Sequence, residues 1–392
     1  MNDSFREVSS ESWFSRLAGA FFGMIFGVIL FGVAFPVIIW NEGRAVHRAQ
    51  DLDEGQSLAV EVDSAKVDPN QEGKLVFTNS QATTDETLQD PLFGLSAEHA
   101  IRLARKVAMY QWVEKKESKK VKKLGGSEVT ETTYSYSQDW DKDLNDSSRF
   151  KHPEEHTNPT QKPFPDFSKQ ADKVTVGVFE VPHDLIGSLN QTEPVSVTDK
   201  DLEKVPAEQR EKLKVVAGEF YRGESPGTPA IGDVKVSFEK VPPVDCTLMG
   251  VQTGNTFAPY KTRGDRTLFE LRSGTHTKEQ LFGELTQENN FLTWVLRIVG
   301  FGLMFFGLML LFKPLSVFGS VLPFLGDLLE YGMGAFAFLI ALACALITIA
   351  IGWIFYRPVW GVSLLAGGLL LIYLLSRAGH SRRPALPPIP QS

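Results

Sequence analysis

Residues 17–40 read LAGAFFGMIFGVILFGVAFPVIIW, and this stretch decides the fold. It contains 24 residues without a charge, which as a helix at about 1.5 Å per residue extend roughly 36 Å. A hydrocarbon core of roughly 30 Å needs about 20 such residues. The stretch is longer than the apolar region of a signal peptide, and no small-residue cleavage site precedes Asn41, so we expect a retained signal anchor.

Three further apolar stretches lie in the last quarter of the chain, at residues 291–312, 333–356 and 359–375. The sequence therefore predicts an α-helical multi-pass membrane protein with four transmembrane helices. Residues 41–290 are polar and would form one large exoplasmic domain between helices 1 and 2. Residues 1–16, 313–332 and 376–392 would then be the cytoplasmic N-terminus, a connection and a Pro-rich tail.

Basic residues set the expected orientation. Three arginines follow the last stretch, and Arg6 and Arg16 precede the first, so the positive-inside rule predicts that both termini are cytoplasmic. Within residues 313–332 apolar residues recur at helical spacing. This pattern predicts an amphipathic helix at the membrane interface, and a simple loop is the alternative.

The charge of the polar region limits its partners. Residues 41–290 hold 32 of the 40 Lys and Arg residues and 42 of the 47 Asp and Glu residues, a net charge of −10. Nucleic-acid binding requires a basic face, so we expect no nucleic-acid partner. Cys246 lies in the polar region and Cys344 in an apolar stretch, so no intrachain disulfide is predicted.

Alternation of apolar and polar residues predicts a β-rich α+β fold for residues 41–290. Two short helices are expected, at residues 97–107 and 277–285. Six lysines between Lys115 and Lys123 precede Gly125 and Gly126. We interpret them as the solvated tip of a β-hairpin, with contact to anionic lipid headgroups as the alternative.

Patterns that carry chemistry are weak in this chain. Residues 223–227 read GESPG, but Pro226 lacks the N–H that a nucleophile elbow would use, so a turn is predicted. His152 and His156 share a loop without a third ligand at a recognisable spacing. We therefore predict no enzyme activity, no cofactor and no metal site.

Gly19, Gly23 and Gly27 recur every four residues in the first apolar stretch. This spacing places them on one helix face and allows another backbone to approach closely. The partner is either another helix of the same chain or a second copy, and the spacing does not distinguish the two.

Polar residues mark the end of the first apolar stretch. Gly43 is expected to end the helix there, Arg44 to anchor at the headgroups, and Glu42 and Arg44 to compensate each other's charge beside Asn41. Arg297 lies inside the second stretch. We interpret it as an interfacial anchor, with a charge lining a conduction pathway as the alternative.

Arg357 and Pro358 leave almost no room between the third and fourth apolar stretches. The two helices are therefore predicted to form a tight antiparallel hairpin. Trp353 and Tyr356 would be aromatic anchors at the membrane interface.

Five motifs together resemble the transmembrane protein 43 family, also called LUMA. They occur in family order over about residues 36–375. They are residues 41–45 (NEGRA), 109–114 (MYQWVE), 134–136 (YSY) with Trp140, 232–238 (GDVKVSF) and 352–360 (GWIFYRPVW).

This resemblance implies four spans, cytoplasmic termini and one large lumenal domain. It also implies that animal members reside in the endoplasmic reticulum and inner nuclear membrane, self-associate, and help to organise nuclear-envelope proteins such as emerin and lamins. Members also occur in bacteria, where the inner membrane would be the location. The family has no established catalytic residues.

The leading functional hypothesis is a non-enzymatic membrane scaffold that self-associates. Its partners would be membrane lipids, further copies of itself and other membrane proteins. The alternative is an ion channel or transporter formed by the oligomer. A third hypothesis is an exoplasmic lipid-binding or enzymatic module.

Overall fold

The computed structural model describes residues 3–319, 323–359 and 363. The chain forms two compact units. One comprises residues 3–9, 51–121 and 130–284 and is called the β unit. The other comprises residues 10–50 and 122–129 and the described residues from 285 onward, and is called the helical unit.

The described residues contain three long and three single-turn α-helices, besides two short 3₁₀ turns at Pro69–Gln71 and Ser147–Arg149. In chain order the α-helices are α1 (Trp13–Leu58), α2 (His183–Ile186), α3 (Asp199–Leu202), α4 (Ala207–Arg210), α5 (Lys278–Gly319) and α6 (Pro323–Tyr356).

The strands are numbered in chain order. They are β1 (Asp3–Glu11), β2 (Val60–Glu61), β3 (Leu75–Thr83), β4 (Thr87–Gln89), β5 (Ser96–Glu98), β6 (Arg102–Lys122), β7 (Glu128–Asp141), β8 (Phe167–Gln170), β9 (Thr175–Val176), β10 (Phe179–Glu180), β11 (Glu193–Val195), β12 (Leu213–Val216), β13 (Glu219–Arg222), β14 (Val234–Val241), β15 (Val244–Thr253), β16 (Thr256–Ala258), β17 (Tyr260–Lys261), β18 (Thr267–Leu268) and β19 (Glu270–Ser273).

The prediction of four transmembrane helices was wrong for the part of the chain that the structure describes. There, three helices are long and apolar enough to cross a membrane: α1, α5 and the Tyr331–Tyr356 part of α6. The expected fourth span, residues 359–375, lies outside the described residues except for Val359 and Ser363. It was also the shortest apolar stretch, with 17 residues against the roughly 20 that a spanning helix needs.

The prediction of a domain inserted between helices 1 and 2 was also wrong, because β1 precedes α1. This strand pairs with β7 at one end of an eight-stranded sheet. Its side chains bind the β unit as well: Phe5 stacks on His152 with ring centroids 3.8 Å apart, and Asp3 Oδ2 lies 2.7 Å from Nε2 of the buried His156. The residues expected to be an N-terminal tail therefore form part of the sheet.

The long helices extend beyond their apolar stretches. Helix α1 continues past Trp40 to Leu58 because Ala45, Val46 and Leu52 give its polar extension a buried face. Residues 313–319 continue α5 instead of forming a separate interfacial helix. Helix α6 then begins at Pro323, a first helical position where proline's missing N–H costs no hydrogen bond.

Two sheets make up most of the β unit. The eight-stranded sheet runs β1-β7-β6-β14-β13-β12, with β8 and β11 paired at its side, and the seven-stranded sheet runs β19-β15-β16-β10-β9-β3-β2. The register pairs Val236 with Val107 in the first sheet and Leu248 with Thr78 in the second. The unit has two buried apolar clusters: one belongs mainly to the seven-stranded sheet but includes Leu103 and Val241 of the other sheet, and the second belongs to the eight-stranded sheet.

The helix predicted at residues 97–107 was wrong, since these residues belong to β5 and β6. Leu103, Arg105 and Val107 are buried on alternate positions, which is the period of a strand. The buried Arg105 is neutralised by Asp90, whose two carboxylate oxygens both lie 2.7 Å from Arg105 Nη1. The helix predicted at residues 277–285 is confirmed as the start of α5.

The position of β1 predicts a specific membrane topology. Lipid cannot satisfy the backbone groups of an open sheet, so strands that pair lie on one side of the bilayer. The N-terminus and the β unit should therefore be reached from the same side. A single crossing by α1, which the charge rule assumed, would place them on opposite sides.

Ser4 and Thr253 are both exposed, and each is replaced by cysteine in a separate variant. In sealed vesicles of one orientation, we expect a membrane-impermeant maleimide to label both cysteines or neither. Cys344 is replaced by alanine, whereas Cys246 can stay because burial raises the pKa of its thiol to about 12. Little thiolate then forms at neutral pH. Labelling of the two sites in opposite vesicle orientations would contradict the pairing of β1.

Candidate functional site

Seven polar residues of three helices meet within the helical unit, and we call them the polar clamp. They lie where the apolar stretch of α1 ends. Most of these polar residues are buried, although the helices that contain them are mainly apolar. The polar clamp consists of Asn41, Glu42 and Arg44 of α1, Asn289, Thr293 and Arg297 of α5, and Trp353 of α6.

A bidentate ion pair forms the centre of the clamp. Arg297 Nε donates to Glu42 Oε1 at 2.6 Å, and Nη2 donates to Oε2 at 2.8 Å. Trp353 Nε1 also donates to Glu42 Oε2, at 2.8 Å. The carboxylate of Glu42 is 1% exposed. Its charge is compensated by the planar fork of the guanidinium, a geometry that Arg and carboxylate share.

Aromatic rings enclose the cation of the pair. The guanidinium carbon of Arg297 lies 4.9 Å from the ring centroid of Trp294 and 5.8 Å from that of Trp353. Both distances allow cation–π attraction. The Arg297 side chain is 12% exposed, because it is enclosed by a carboxylate and two indole rings.

Arg44 forms the second half of the clamp. Its Nη1 donates to Asn289 Oδ1 at 2.9 Å, and its Nη2 donates to Thr293 Oγ1 at 2.9 Å. Asn41 Oδ1 accepts from Nε and Nη2 at 3.3 and 3.2 Å. Glu42 therefore has its bidentate partner on α5, whereas Arg44 is held by neutral amide and hydroxyl oxygens.

Two amide side chains bond the backbone of the opposite helix. Asn41 Nδ2 donates to the carbonyl oxygen of Thr293, and Asn289 Nδ2 donates to that of Ala45, both at 2.9 Å. A carbonyl oxygen has two lone pairs and can accept such a bond in addition to its helical one. The reciprocal bonds fix the register of α1 against α5.

Glycines let α6 approach the clamp. A Cβ at Gly43 would lie 2.7 Å from the Tyr356 ring, and one at Gly352 would lie 3.0 Å from Glu42 Cγ. Gly43 was expected to end α1, but α1 continues through it to Leu58. The residue is a close-packing position, because any side chain there would displace Tyr356.

Gly19, Gly23 and Gly27 of α1, called the glycine stripe, differ in how closely another helix approaches them. A Cβ at Gly27 would lie 2.6 Å from the carbonyl oxygen of Gly307 on α5, so the two backbones are in contact there. At Gly23 the nearest atom is Leu310 Cδ2, at 3.6 Å. At Gly19 no heavy atom of the described residues lies within 4 Å.

The end of α6 holds the remaining predicted boundary residues. The Arg357 amide donates to the carbonyl oxygen of Trp353 at 2.7 Å, and α6 ends at Tyr356. Pro358 disfavours helical geometry at the residue before it, which explains this end point. The hairpin expected with residues 359–375 falls outside the described residues.

Sequence reasoning missed Asn289 and Thr293, although a signal for them existed. Together with Arg297 they are spaced by four residues, which places polar side chains along one face of α5. A second signal was that Glu42 and Arg297 are opposite charges at or inside neighbouring apolar helices. Isolated charges in such helices usually pair with each other.

The two histidines of the loop at residues 152–156 contact strands β1 and β7. His152 stacks on Phe5, and His156 bonds Asp3 while its ring stacks on Tyr136 at 3.7 Å. Within the residues that the structure describes, no group of three or more His, Cys, Asp or Glu residues is arranged to hold a metal ion.

Three helices are long and apolar enough to span a membrane, and a buried ion pair joins two of them. These features define the chain as an integral membrane protein with a β-rich unit. A profile of the family described as Transmembrane protein 43 matches residues 109–358. The chain belongs to this family, which confirms the resemblance found in its motifs. Arg297 and Trp353 lie within the matched range.

Relatives named Transmembrane protein 43 match nearly the whole chain. The Homo sapiens protein is 34% identical over 388 residues, which covers 96% of this chain and 94% of the relative. The Mus musculus protein is 34% identical over 393 residues, covering 97% and 95%. The homolog from Drosophila melanogaster is 29% identical over 351 residues, covering 88% and 91%. No solved structure matches significantly.

The clamp predicts different effects for two tryptophans that both face Arg297. Trp353→Phe keeps an aromatic ring but removes the N–H that bonds Glu42. A hydrogen bond to a charged group contributes about 1.5–3 kcal/mol, so we expect a loss of stability of about that size in unfolding of the purified protein in mixed micelles. Trp294→Phe is the matched control, because the ring of Trp294 is exposed. Equal losses for the two variants would contradict the bond.

Proposed function

We propose that this protein is a non-enzymatic membrane scaffold that self-associates and organises membrane or membrane-protein partners. The observation that carries the proposal is the polar clamp. Glu42 of α1 bonds Arg297 of α5 and Trp353 of α6, so these bonds hold three helices in one arrangement. Such an arrangement suits a rigid membrane anchor.

The same geometry favours a scaffold over a channel or transporter. Ionisable residues of a conduction pathway face a water-filled cavity or the interior of a bundle where ions pass. Arg297 was the candidate for this role. Its guanidinium is engaged by Glu42 and covered by Trp294 and Trp353, so it is not available to line a pore.

Family membership supports the proposal at a coarser level. The relatives' names describe membrane proteins and state no activity. The partners we propose are membrane lipids, further copies of this chain and other membrane proteins. A cytoplasmic position of the C-terminal tail, with location in a bacterial inner membrane or in the endoplasmic reticulum and inner nuclear membrane, follows from charge and resemblance.

Self-association is supported by the unequal use of the glycine stripe. Gly27 is covered by α5, whereas the helix surface over Gly19 is open among the described residues. Phe22 and Phe26, which lie on the same side of the helix, are exposed. A second copy could approach the α1 backbone at Gly19 as closely as α5 does at Gly27.

The test is the mass of the protein in lipid nanodiscs over a range of concentrations. We expect dimers or larger assemblies, and we expect Gly19→Leu to shift the distribution toward monomer. Gly32→Leu is the matched control: Gly32 is also open, but at 3.6 residues per turn it lies about 140° around the helix. A monomer at every concentration would refute self-association, and equal effects of both variants would refute the role of Gly19.

A further inference from the structure

Arg44 of the polar clamp is a cation whose bonded partners, within the part of the chain that the structure describes, are all neutral. Its guanidinium donates to the amide oxygens of Asn41 and Asn289 and to the hydroxyl oxygen of Thr293, at distances from 2.9 to 3.3 Å. Glu42 attracts Arg44 through space, but its carboxylate oxygens are bonded by Arg297 and Trp353 instead. The guanidinium of Arg44 is therefore not in contact with an opposite charge.

One donor of this guanidinium is available to a ligand. A guanidinium has five N–H groups. Nε donates to Asn41, Nη2 donates to both Asn41 and Thr293, and Nη1 donates to Asn289. The second N–H of Nη1 has no acceptor among the described residues, and the side chain of Arg44 is partly exposed. Anions are the ligands that such a charged donor binds most strongly.

The side chains around Arg44 hold this donor in a fixed position. Asn41 and Asn289 are themselves bonded to backbone carbonyl groups of the opposite helix, both at 2.9 Å. Thr293 Oγ1 donates to the carbonyl oxygen of Asn289 at 2.6 Å. A free surface arginine would lose rotamer entropy when it binds a ligand, whereas Arg44 has already lost it on folding.

Exposed tryptophans mark the level of Arg44 relative to the lipid. Trp40 lies one helical turn before Arg44 on the same face of α1 and is 60% exposed, and Trp294 of α5 is 61% exposed. The bond from Asn41 to the carbonyl oxygen of Thr293 places the two tryptophans at a similar level. Tryptophan is enriched where acyl chains meet headgroups. Arg44 lies about 6 Å farther along the helix axis, which is where lipid phosphates are.

We propose that Arg44 binds the phosphate of an anionic phospholipid, with Nη1 donating to a phosphate oxygen and the acyl chains lying along the exposed ring of Trp40. A zwitterionic lipid is bound less well, because its choline group brings a positive charge of its own close to Arg44. The inference rests on the proposed association with membrane lipids and names the class of lipid. It needs neither the glycine stripe nor a second copy.

The experiment identifies by native mass spectrometry which phospholipid the full chain retains. The protein is purified in micelles that contain equal amounts of phosphatidylcholine and phosphatidylglycerol. We expect each chain to retain phosphatidylglycerol in preference to phosphatidylcholine. Arg44→Gln should lower the retention of phosphatidylglycerol about fivefold, which is the effect of one basic residue at an anionic surface. Glycerophosphoglycerol, the same headgroup without acyl chains, should not displace the lipid.

Two control variants separate the site from charge in general and from folding. Lys313→Gln removes an exposed charge of α5 that lies 20 residues beyond Thr293, roughly 30 Å along the helix and beyond the Debye length of about 10 Å, so it should retain the lipid. Trp40→Glu leaves the bonds of Arg44 in place but adds a carboxylate one turn away that pairs with it. This variant should lose the lipid even where Arg44→Gln does not fold, whereas Trp40→Gln should keep it.

Each of four results would overturn the proposal. They are equal retention of both phospholipids by the unaltered chain, equal losses in Arg44→Gln and Lys313→Gln, full retention by Trp40→Glu, and displacement of the lipid by glycerophosphoglycerol, which would identify a site for soluble phosphate. The folded state of each variant is checked by its unfolding transition. The native mass reports bound lipid and the number of chains together, so a failure of phosphate binding is distinguished from a failure of self-association.

Discussion

The bidentate bond between Glu42 and Arg297 is the constraint on which the helical unit depends. Each charge alone would be costly among apolar helices, because removal from water is compensated only by an opposite charge in good geometry. The two residues must therefore meet, and their meeting sets the rotation and register of α1 and α5. Trp353 extends the constraint to α6 through its bond to the same carboxylate.

Close packing and the ion pair support each other. Gly27 faces Gly307 and Gly43 faces Tyr356 at distances that a Cβ would violate, and Gly352 faces Glu42 with little room to spare. The short separation of the backbones is what allows Asn41 and Asn289 to reach carbonyl groups of the opposite helix. Residues 41–44, which the motif comparison singled out, thus have a structural purpose: they join helices.

Sequence reasoning succeeded where a pattern depends on a single element. The apolar runs predicted long helices, which are present as α1, α5 and α6. The lysine run followed by two glycines predicted a hairpin, which the structure confirms as β6 and β7. It failed where the outcome depends on a distant partner. A helix was predicted at residues 97–107, but pairing with β14 makes residues from Arg102 onward a strand. Gly43 was interpreted as a helix end. Its actual role is to make room for Tyr356, which lies 313 residues later in the sequence, and local sequence does not reveal such a contact.

The candidate site was predicted only in part, because some of its residues depend on a partner that is distant in sequence. Asn41, Glu42 and Arg44 were found from their position at the end of an apolar run, but the pairing of Arg297 with Glu42 could not be read from local sequence. The N-terminal strand was missed because β1 is charged and next to a helix, and its place depends on β7.

The most direct test of this account is a double-mutant cycle on Glu42 and Arg297, measured as unfolding free energy of the full chain in mixed micelles. Glu42→Gln and Arg297→Met should each destabilise the protein by about 3–5 kcal/mol, because each leaves the other charge buried without its partner. The double variant should lose much less than the sum, giving a coupling of about 2 kcal/mol or more. Additive losses would show that the two residues do not depend on each other and would contradict the central role of the pair.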